Sequence, residues 1–434
     1  MKCTKQARPA ILLALPLLAL FLIGCAQAQP TSQALPPTLE LATEGTPTVA
    51  TAVELTGQEV VDRQLVIWAP ARFQPALDPS NNPTLATIYE QFERSHPGVH
   101  IEIQVRVDSG EASLLSYLRS AQRVAPTILP DIILIDTQQL WQVADLELLA
   151  PLRQSQFDPN QELYPFTIEA ATYNGQLLGL PYTTELTHLL YYPSQLADKP
   201  QTWEEFLAAG QPLFFIAGKS ENLNKFSYLQ YRSASSLASV VEPPDEDALL
   251  RFFAFLVDAK ERGLIAEVAP DLTTSDAVWE VFTAAETGLA ETSSRTALEH
   301  WDVINSGTVG YIPFFNRDGT PLTSARVWTF ALINSDPEQH ELSLALLKAF
   351  LDPAIHSQWS RIVMQIPAQR SAFGLWRNPA PYYDFLENEL ANARALPNGR
   401  RFADISHRLQ NAQELVLRGK MTAEEATLYV QTTP

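Results

Sequence analysis

From residue 63 onward the chain reads as an α/β fold in two lobes, and three observations carry that reading. Strand-like and helix-like apolar patterns alternate along the first part of the chain, as a layered α/β architecture requires. Asp131-Ile132-Ile133-Leu134-Ile135-Asp136 is a continuous apolar run of the kind that a parallel sheet buries on both faces. About 370 of the 434 residues remain after the N-terminal region, more than one core usually organises, and 46% of the whole chain is apolar.

The elements follow in order. Gln64-Leu65-Val66-Ile67-Trp68 is a short apolar strand, ended by Pro70 and a loop rich in Pro and Asn. Thr84 to Ser95 is helical, with Leu85, Ile88, Tyr89 and Phe92 on one face. Val99 to Val105 alternates apolar and polar residues as a strand, Glu111 to Arg123 is the next helix, and the apolar run to Asp136 is the third strand. In open α/β sheets ligands sit outside the carboxyl ends of the strands. That rule singles out Ala69 to Phe73 and Asp136 to Gln138 as the first site candidates. Asp136, at the end of a buried strand, either caps the next helix or binds a ligand. Further on, Thr202 and Glu205 form a capping box that accounts for Trp203 and Glu205 structurally.

The N-terminal region is of another kind. Lys2, Lys5 and Arg8 precede an apolar stretch from Ile11 to Ile23, broken only by Pro16 and too short to span a bilayer comfortably. It ends in Leu22-Ile23-Gly24-Cys25, which resembles the bacterial lipobox, whose cysteine takes up lipid before the signal is cut. The expected division is a lipoprotein signal over 1–24 and a lipid-anchored linker over 25–62 starting at Cys25; an ordinary secretory signal cut near Ala26 or Ala28 is the alternative. Export follows either way. Residues 26 to 62 hold Pro30, Pro36, Pro37 and Pro47 and lack aromatic residues, Lys and Arg, so they cannot form a core and read as a semi-extended tether. Cys3 and Cys25 are the two cysteines, which leaves no thiol in the domain to pair or to bind metal.

The net charge is -19, and three units more negative without Lys2, Lys5 and Arg8. The acids are dispersed and no basic patch is interleaved with aromatics, so nucleic acid is not an expected partner.

Leu65-Val66-Ile67-Trp68, Phe92-Glu93-Arg94 with Pro97-Gly98-Val99, Leu129-Pro130-Asp131-Ile132-Ile133 and Leu148-Leu149-Ala150-Pro151-Leu152 follow one another in a set order. Asn174 to Glu185 with Leu189-Leu190-Tyr191-Tyr192, Pro200-Gln201-Thr202-Trp203, Val309-Gly310-Tyr311-Ile312-Pro313, Ile366-Pro367-Ala368-Gln369-Arg370 and Gly419 to Ala426 continue the succession. Together these resemble the extracellular solute-binding proteins of bacterial ABC importers, in particular the sugar-binding, maltose-binding-protein-like ones, over roughly residues 64 to 430. The resemblance implies a two-lobed periplasmic-binding-protein fold of type II. The first lobe would hold 63–186 plus 309–328 and the second 187–308 plus 329–434. It implies a monomer without cofactor or metal, anchored on the extracytoplasmic face of the membrane, that captures a sugar or polyol between the lobes and passes it to a permease. Carried over position by position, the ligand contacts would be Trp68, Arg72, Asp136, Gln138, Tyr182, Glu185, Glu291, Arg295 and Trp328.

Two departures from the family pattern bear on the ligand. Ser324-Ala325-Arg326-Val327-Trp328-Thr329-Phe330 places bulk where relatives have glycine, and Phe282 to Ala290 lacks the usual glycine, basic residue and methionine. The residues leave room for two other classes. A carbohydrate-acting enzyme would need two carboxylates across a cleft, which Asp136 with Glu185 or Glu291 could supply. A sensing or adhesive lipoprotein is the other; a structural one would show repeats, and the sequence has none of 20 to 50 residues.

Overall fold

The structure is a computed structural model and describes residues 62–108, 110–157, 162–219, 225–235, 244–334, 336–376 and 380–432. The expected signal, the lipidated Cys25 and the tether up to residue 61 lie outside the described residues. Among the described residues no helix is long and apolar enough to cross a membrane.

The strands in chain order are β1 (Arg63–Pro70), β2 (Val99–Arg106), β3 (Ile132–Asp136), β4 (Thr172–Tyr173), β5 (Gln176–Leu177), β6 (Leu180–Tyr191), β7 (Leu213–Phe214), β8 (Leu289–Ser293), β9 (Gly310–Ile312), β10 (Thr323–Leu332), β11 (Ile366–Pro367) and β12 (Ala393–Ala395). The main sheet runs β2-β1-β3-β10-β6-β8-β7. β1 is parallel to β2 and β3, and β10 lies antiparallel between β3 and β6. The β4–β5 hairpin stands apart.

β1 shows why these residues make a buried strand. Leu65, Ile67 and Ala69 face one core, shared with Leu332, Leu346 and Trp359, while Trp68 faces another, shared with Leu118, Ile133 and Ala331. Apolar side chains on both faces are what a sheet covered on both sides needs. The flanking helices start at side-chain caps. Asn82 accepts from the Leu85 N–H at 3.2 Å ahead of Pro83–Ser95, and Asp245 accepts from the Ala248 N–H at 3.1 Å ahead of Glu246–Glu261. The helix expected from Glu111 starts instead at Leu114, because the Ser113 hydroxyl accepts from the Ser116 N–H at 3.3 Å and fixes the first turn there. The capping box of Thr202 and Glu205 is present as expected.

β6 joins the lobes. Leu180 to Leu186 pair with β10, and Thr187 to Tyr191 pair with β8 and, in part, β9, so the strand changes partners between Leu186 and Thr187. All twelve of its residues are buried. The second lobe has its own core of Phe206, Phe252, Phe253, Leu289, Leu409 and Val416.

One allocation differs from the expectation. Residues 329–363, expected in the second lobe, pack with the first. Phe330 and Leu332 continue β10 against β3, and Leu344, Leu347, Phe350 and Trp359 share a core with Leu65, Phe73 and Tyr182. The physical reason is the apolar face of β1, β3 and β10, which the helices Pro337–Phe350 and Pro353–Ile362 cover. Trp359 is 1% exposed and stacks on Phe73 at 5.4 Å between ring centroids. Trp359→Ala is expected to cost about 3–5 kcal/mol of stability, read by urea denaturation; a loss under about 1 kcal/mol would contradict this packing.

Candidate functional site

The carboxyl ends of β1, β2 and β3 meet beside β10, where Trp328 stands opposite Asp136. Asp136 ends β3 and caps the helix Thr137–Ala144: one carboxylate oxygen accepts from the Gln138 backbone N–H at 3.0 Å and the other from Arg326 Nε at 2.6 Å. Both oxygens are engaged by the protein, so Asp136 acts as a cap that also holds a guanidinium. Arg72, in the turn Ala71–Phe73 after β1, donates from Nε to Asp108 Oδ2 at 2.5 Å, and its Nη1 lies 3.9 Å from Glu185 Oε1. Arg326 and Arg72 both lie over the Trp328 ring, 4.7 and 5.3 Å from its centroid. The ring therefore holds two cations in place rather than offering a bare face. Pro70, Arg72, Asp108, Gln139, Arg326 and Trp328 line a cavity of about 140 Å³ here.

Glu185 stands on β6, two residues before the change of partners, and is 4% exposed. Burial alone would raise its carboxyl, but Lys225, Arg326, Arg72 and Arg295 outweigh this and hold it below the ordinary value. Gln365 Nε2 donates to it at 2.7 Å. Burial and the neighbouring Arg326 push Lys225 down, against the pull of Glu185 and Glu291. Glu291, on β8, is 2% exposed and accepts from the Ile216 N–H at 2.9 Å, and burial pushes its carboxyl up to about 7 despite that bond and Lys225. Arg295 donates to Glu299 at 2.5 Å in the helix Ser294–Glu299.

Two of the expected contacts are core residues. Trp68 is 1% exposed and packs among Leu114, Leu118 and Ile133, with Arg106 over its ring at 4.5 Å; it sits on the strand face that the helix Leu114–Val124 covers. Tyr182 is fully buried, stacks on His356 at 4.2 Å, and donates from its hydroxyl to the Phe350 carbonyl at 3.2 Å. Strand alternation sends Tyr182 to the core under the helices and leaves Glu185 on the crossing.

Gln138 points to a second wall. With Gln139, Trp141 and Gln142 of the first lobe it lines a cavity of about 100 Å³ whose other side is Gly399, Phe402, Ser406, His407 and Gln410 of the helix Arg400–Leu417 and its start. That helix packs in the second lobe through Leu409, Ala412 and Val416. Arg400 reaches across, 5.6 Å from the Trp141 ring and 3.5 Å from Asp145. Aromatic rings and side-chain amides thus face each other between the lobes.

Sequence reasoning missed Asp108, Lys225, Arg326, Gln365 and the Phe402–Gln410 face. Asp108 follows β2 and lies where the carboxyl-end rule would have pointed; Arg326 belonged to a segment noted only for its bulk. For the others no local pattern gives a signal.

Residues 87–377 match the family of bacterial extracellular solute-binding proteins. Among solved structures, the cyclic α-maltosyl-1,6-maltose binding protein of Arthrobacter globiformis aligns with a TM-score of 0.68 at 19% identity over 85% of this chain and 97% of its own. Maltose-bound MalE3 of T. maritima gives 0.65 at 17% identity over 85% and 98%. The GacH receptor of Streptomyces glaucescens, solved unliganded and with acarbose, gives 0.64 at 15% over 86% and 97%. At these identities the likeness is one of fold, and it agrees with the two α/β lobes expected from the sequence.

Two outcomes follow from the charges. Arg326→Ala strands the buried Asp136, whose side chain is 1% exposed, and is expected to cost about 3–5 kcal/mol in urea denaturation, whereas Arg72→Ala breaks a half-exposed pair and costs about 1 kcal/mol or less. Equal losses would contradict this ranking. Glu291 is raised in the folded chain, so its contribution is complete below the unfolded value near pH 4.5 and is lost as pH rises through about 7. The stability of the wild type relative to Glu291→Gln is therefore expected to fall by roughly 3 kcal/mol between those limits; a difference independent of pH would contradict it.

Proposed function

The chain belongs to the bacterial extracellular solute-binding protein family and works outside the cytoplasm, and from that premise we propose that it captures a carbohydrate or related polyol in the cleft between its lobes. The observation that carries the proposal is the pair of facing walls: Gln138, Trp141 and Gln142 on one helix, Phe402, Ser406, His407 and Gln410 on the other. Rings pack on the C–H faces of a pyranose, and amides and hydroxyls satisfy its hydroxyl groups. Arg72 and Asp108, half exposed at the carboxyl ends of the first-lobe strands, extend the polar side of the cleft. The relatives described above include a maltose-bound protein and one solved with acarbose, which supports a sugar as the solute.

The mechanism is capture and closure. A ligand that touches both walls binds the closed arrangement better than the open one and shifts the chain toward it. Delivery of the solute to an ABC permease, and anchoring through a lipid on Cys25, complete the reading. No cofactor or metal is needed for it. Catalysis is disfavoured by the geometry: both Asp136 oxygens are engaged by Arg326 and by a helix start, and Glu185 is buried and bound by Gln365 with its carboxyl held below the ordinary value, the wrong direction for the acid that glycoside hydrolysis requires. Glu291, although raised, is closed in behind Ile216.

A thermal-shift screen against mono- and oligosaccharides, polyols, amino acids and peptides tests the proposal. One carbohydrate class at 100 times its Kd is expected to add about 2.7 kcal/mol, with the sugar recovered unchanged. Turnover of the sugar would put an enzyme in its place; a response to amino acids or peptides alone would refute the carbohydrate assignment.

A further inference from the structure

Gln365 is 1% exposed and sits immediately before β11. Its amide faces two residues of the crossing strand. Oε1 accepts from the Thr183 hydroxyl at 2.5 Å, and Nε2 donates to Glu185 Oε1 at 2.7 Å. The register explains this meeting. β11 pairs with β6 with Ile366 opposite Thr184 and Pro367 opposite Thr183, and Thr183 and Glu185, two apart, share one face of the strand. A carboxylate only accepts, so the NH₂ must face Glu185, and Oε1 is left to accept from the Thr183 hydroxyl; the amide has one orientation. The backbone holds the residue from the other side, its N–H donating to the Ser360 carbonyl at 3.0 Å. The oxygen that Gln365 binds is also the one 3.9 Å from Arg72 Nη1.

We propose that Gln365 is a positioning residue of the binding site: aligned by Thr183, its amide fixes the Glu185 carboxylate and, through it, the Arg72 guanidinium that lines the cleft. The inference rests on the carbohydrate-binding reading, since it assigns Gln365 to the support of that site. It also places the support at the point where the chain passes between lobes, so the same contact sets the first-lobe arginine and braces the strand that pairs with both lobes. The charged groups facing Glu185 come from four elements: Arg72 from the turn after β1, Arg326 from β10, Lys225 from the helix Lys225–Ala234 and Arg295 from Ser294–Glu299. Asp108, Asp136 and Glu299 are the acids paired with the arginines.

The test compares the full chain with Gln365→Leu, Thr183→Val and Gln365→Glu by calorimetric titration with the sugar giving the largest thermal shift, from about pH 3 to 8. Gln365→Leu is expected to raise Kd about tenfold, and Thr183→Val to raise it less. Both move the acid limb of binding to higher pH, because the ionised Glu185 has lost a donor or its alignment. Gln365→Glu, which sets a second acid beside the first, moves the limb further. An amide that only fills space lowers the thermal midpoint but leaves Kd and the acid limb within about twofold of wild type, and that result overturns the proposal. A second readout needs no ligand: the carboxyl carbon titration of Glu185, assigned with Glu185→Gln, rises in midpoint in Gln365→Leu. Absence of sugar binding to the wild type would sink the carbohydrate reading alone, whereas an unmoved Glu185 titration would overturn the role of Gln365.

Discussion

β6 is the constraint on which the rest depends. Twelve residues in one extended strand are buried throughout, yet they include Thr183, Thr184, Glu185, Thr187 and His188. Buried polar groups cost free energy unless each finds a partner. Here most find partners, drawn from both lobes: Gln365 and the Arg326 carbonyl on one side, Ser294 and Tyr382 on the other, the last two meeting the Leu186 N–H and His188 Nε2, while the Thr187 hydroxyl and His188 Nδ1 have no hydrogen-bond partner among the described residues. An apolar crossing strand would pack as well but would give the cleft nothing to hydrogen-bond.

The same economy governs the charges. Each arginine near the crossing is bound to an acid of the chain, Arg72 to Asp108, Arg326 to Asp136 and Arg295 to Glu299, and Glu185 takes up the fields of all three together with Lys225. Such a balance leaves no strong local excess of either sign, which suits a neutral polyhydroxylated solute better than an ion. The half-exposed members, Arg72 and Asp108, are within reach of a ligand while Glu185 and Gln365 hold the guanidinium from behind, and the buried pair of Arg326 and Asp136 is shielded from it. Buried support and accessible contact are thus divided between two arginines that share the Trp328 ring.

Much of the first lobe was legible in the sequence because its strands are short, apolar and followed by periodic helices. Asp136 stood out as an acid ending an apolar run; of its two readings the structure shows the helix cap, with the other carboxylate oxygen taken by Arg326. The burial of Trp68 and Tyr182 was not legible, because an aromatic residue on a strand does not reveal which face it takes, and both faces of this sheet are covered. Nothing in Leu180 to Tyr191, where Thr, Glu and His stand among apolar residues, marks all twelve as buried; neighbours on each side, far away in the chain, make them so. The packing of residues 329–363 against the first-lobe strands was hidden for a similar reason, since nothing local says which sheet face a helix will cover. Phe402 and His407 lie more than 250 residues from Gln138, and no spacing rule joins them.

Lobe closure around a sugar is the claim to measure most directly. The chain begun at Glu59 holds no cysteine, since Cys3 and Cys25 are the two in the sequence. Spin labels at Ser120→Cys in the first lobe and Asp404→Cys in the second, both exposed in the structure, therefore report the distance between lobes. The account predicts that a bound sugar converts a broad distribution into one shorter, narrower distance. A sugar that binds, by calorimetry, and leaves the distribution unchanged would contradict it.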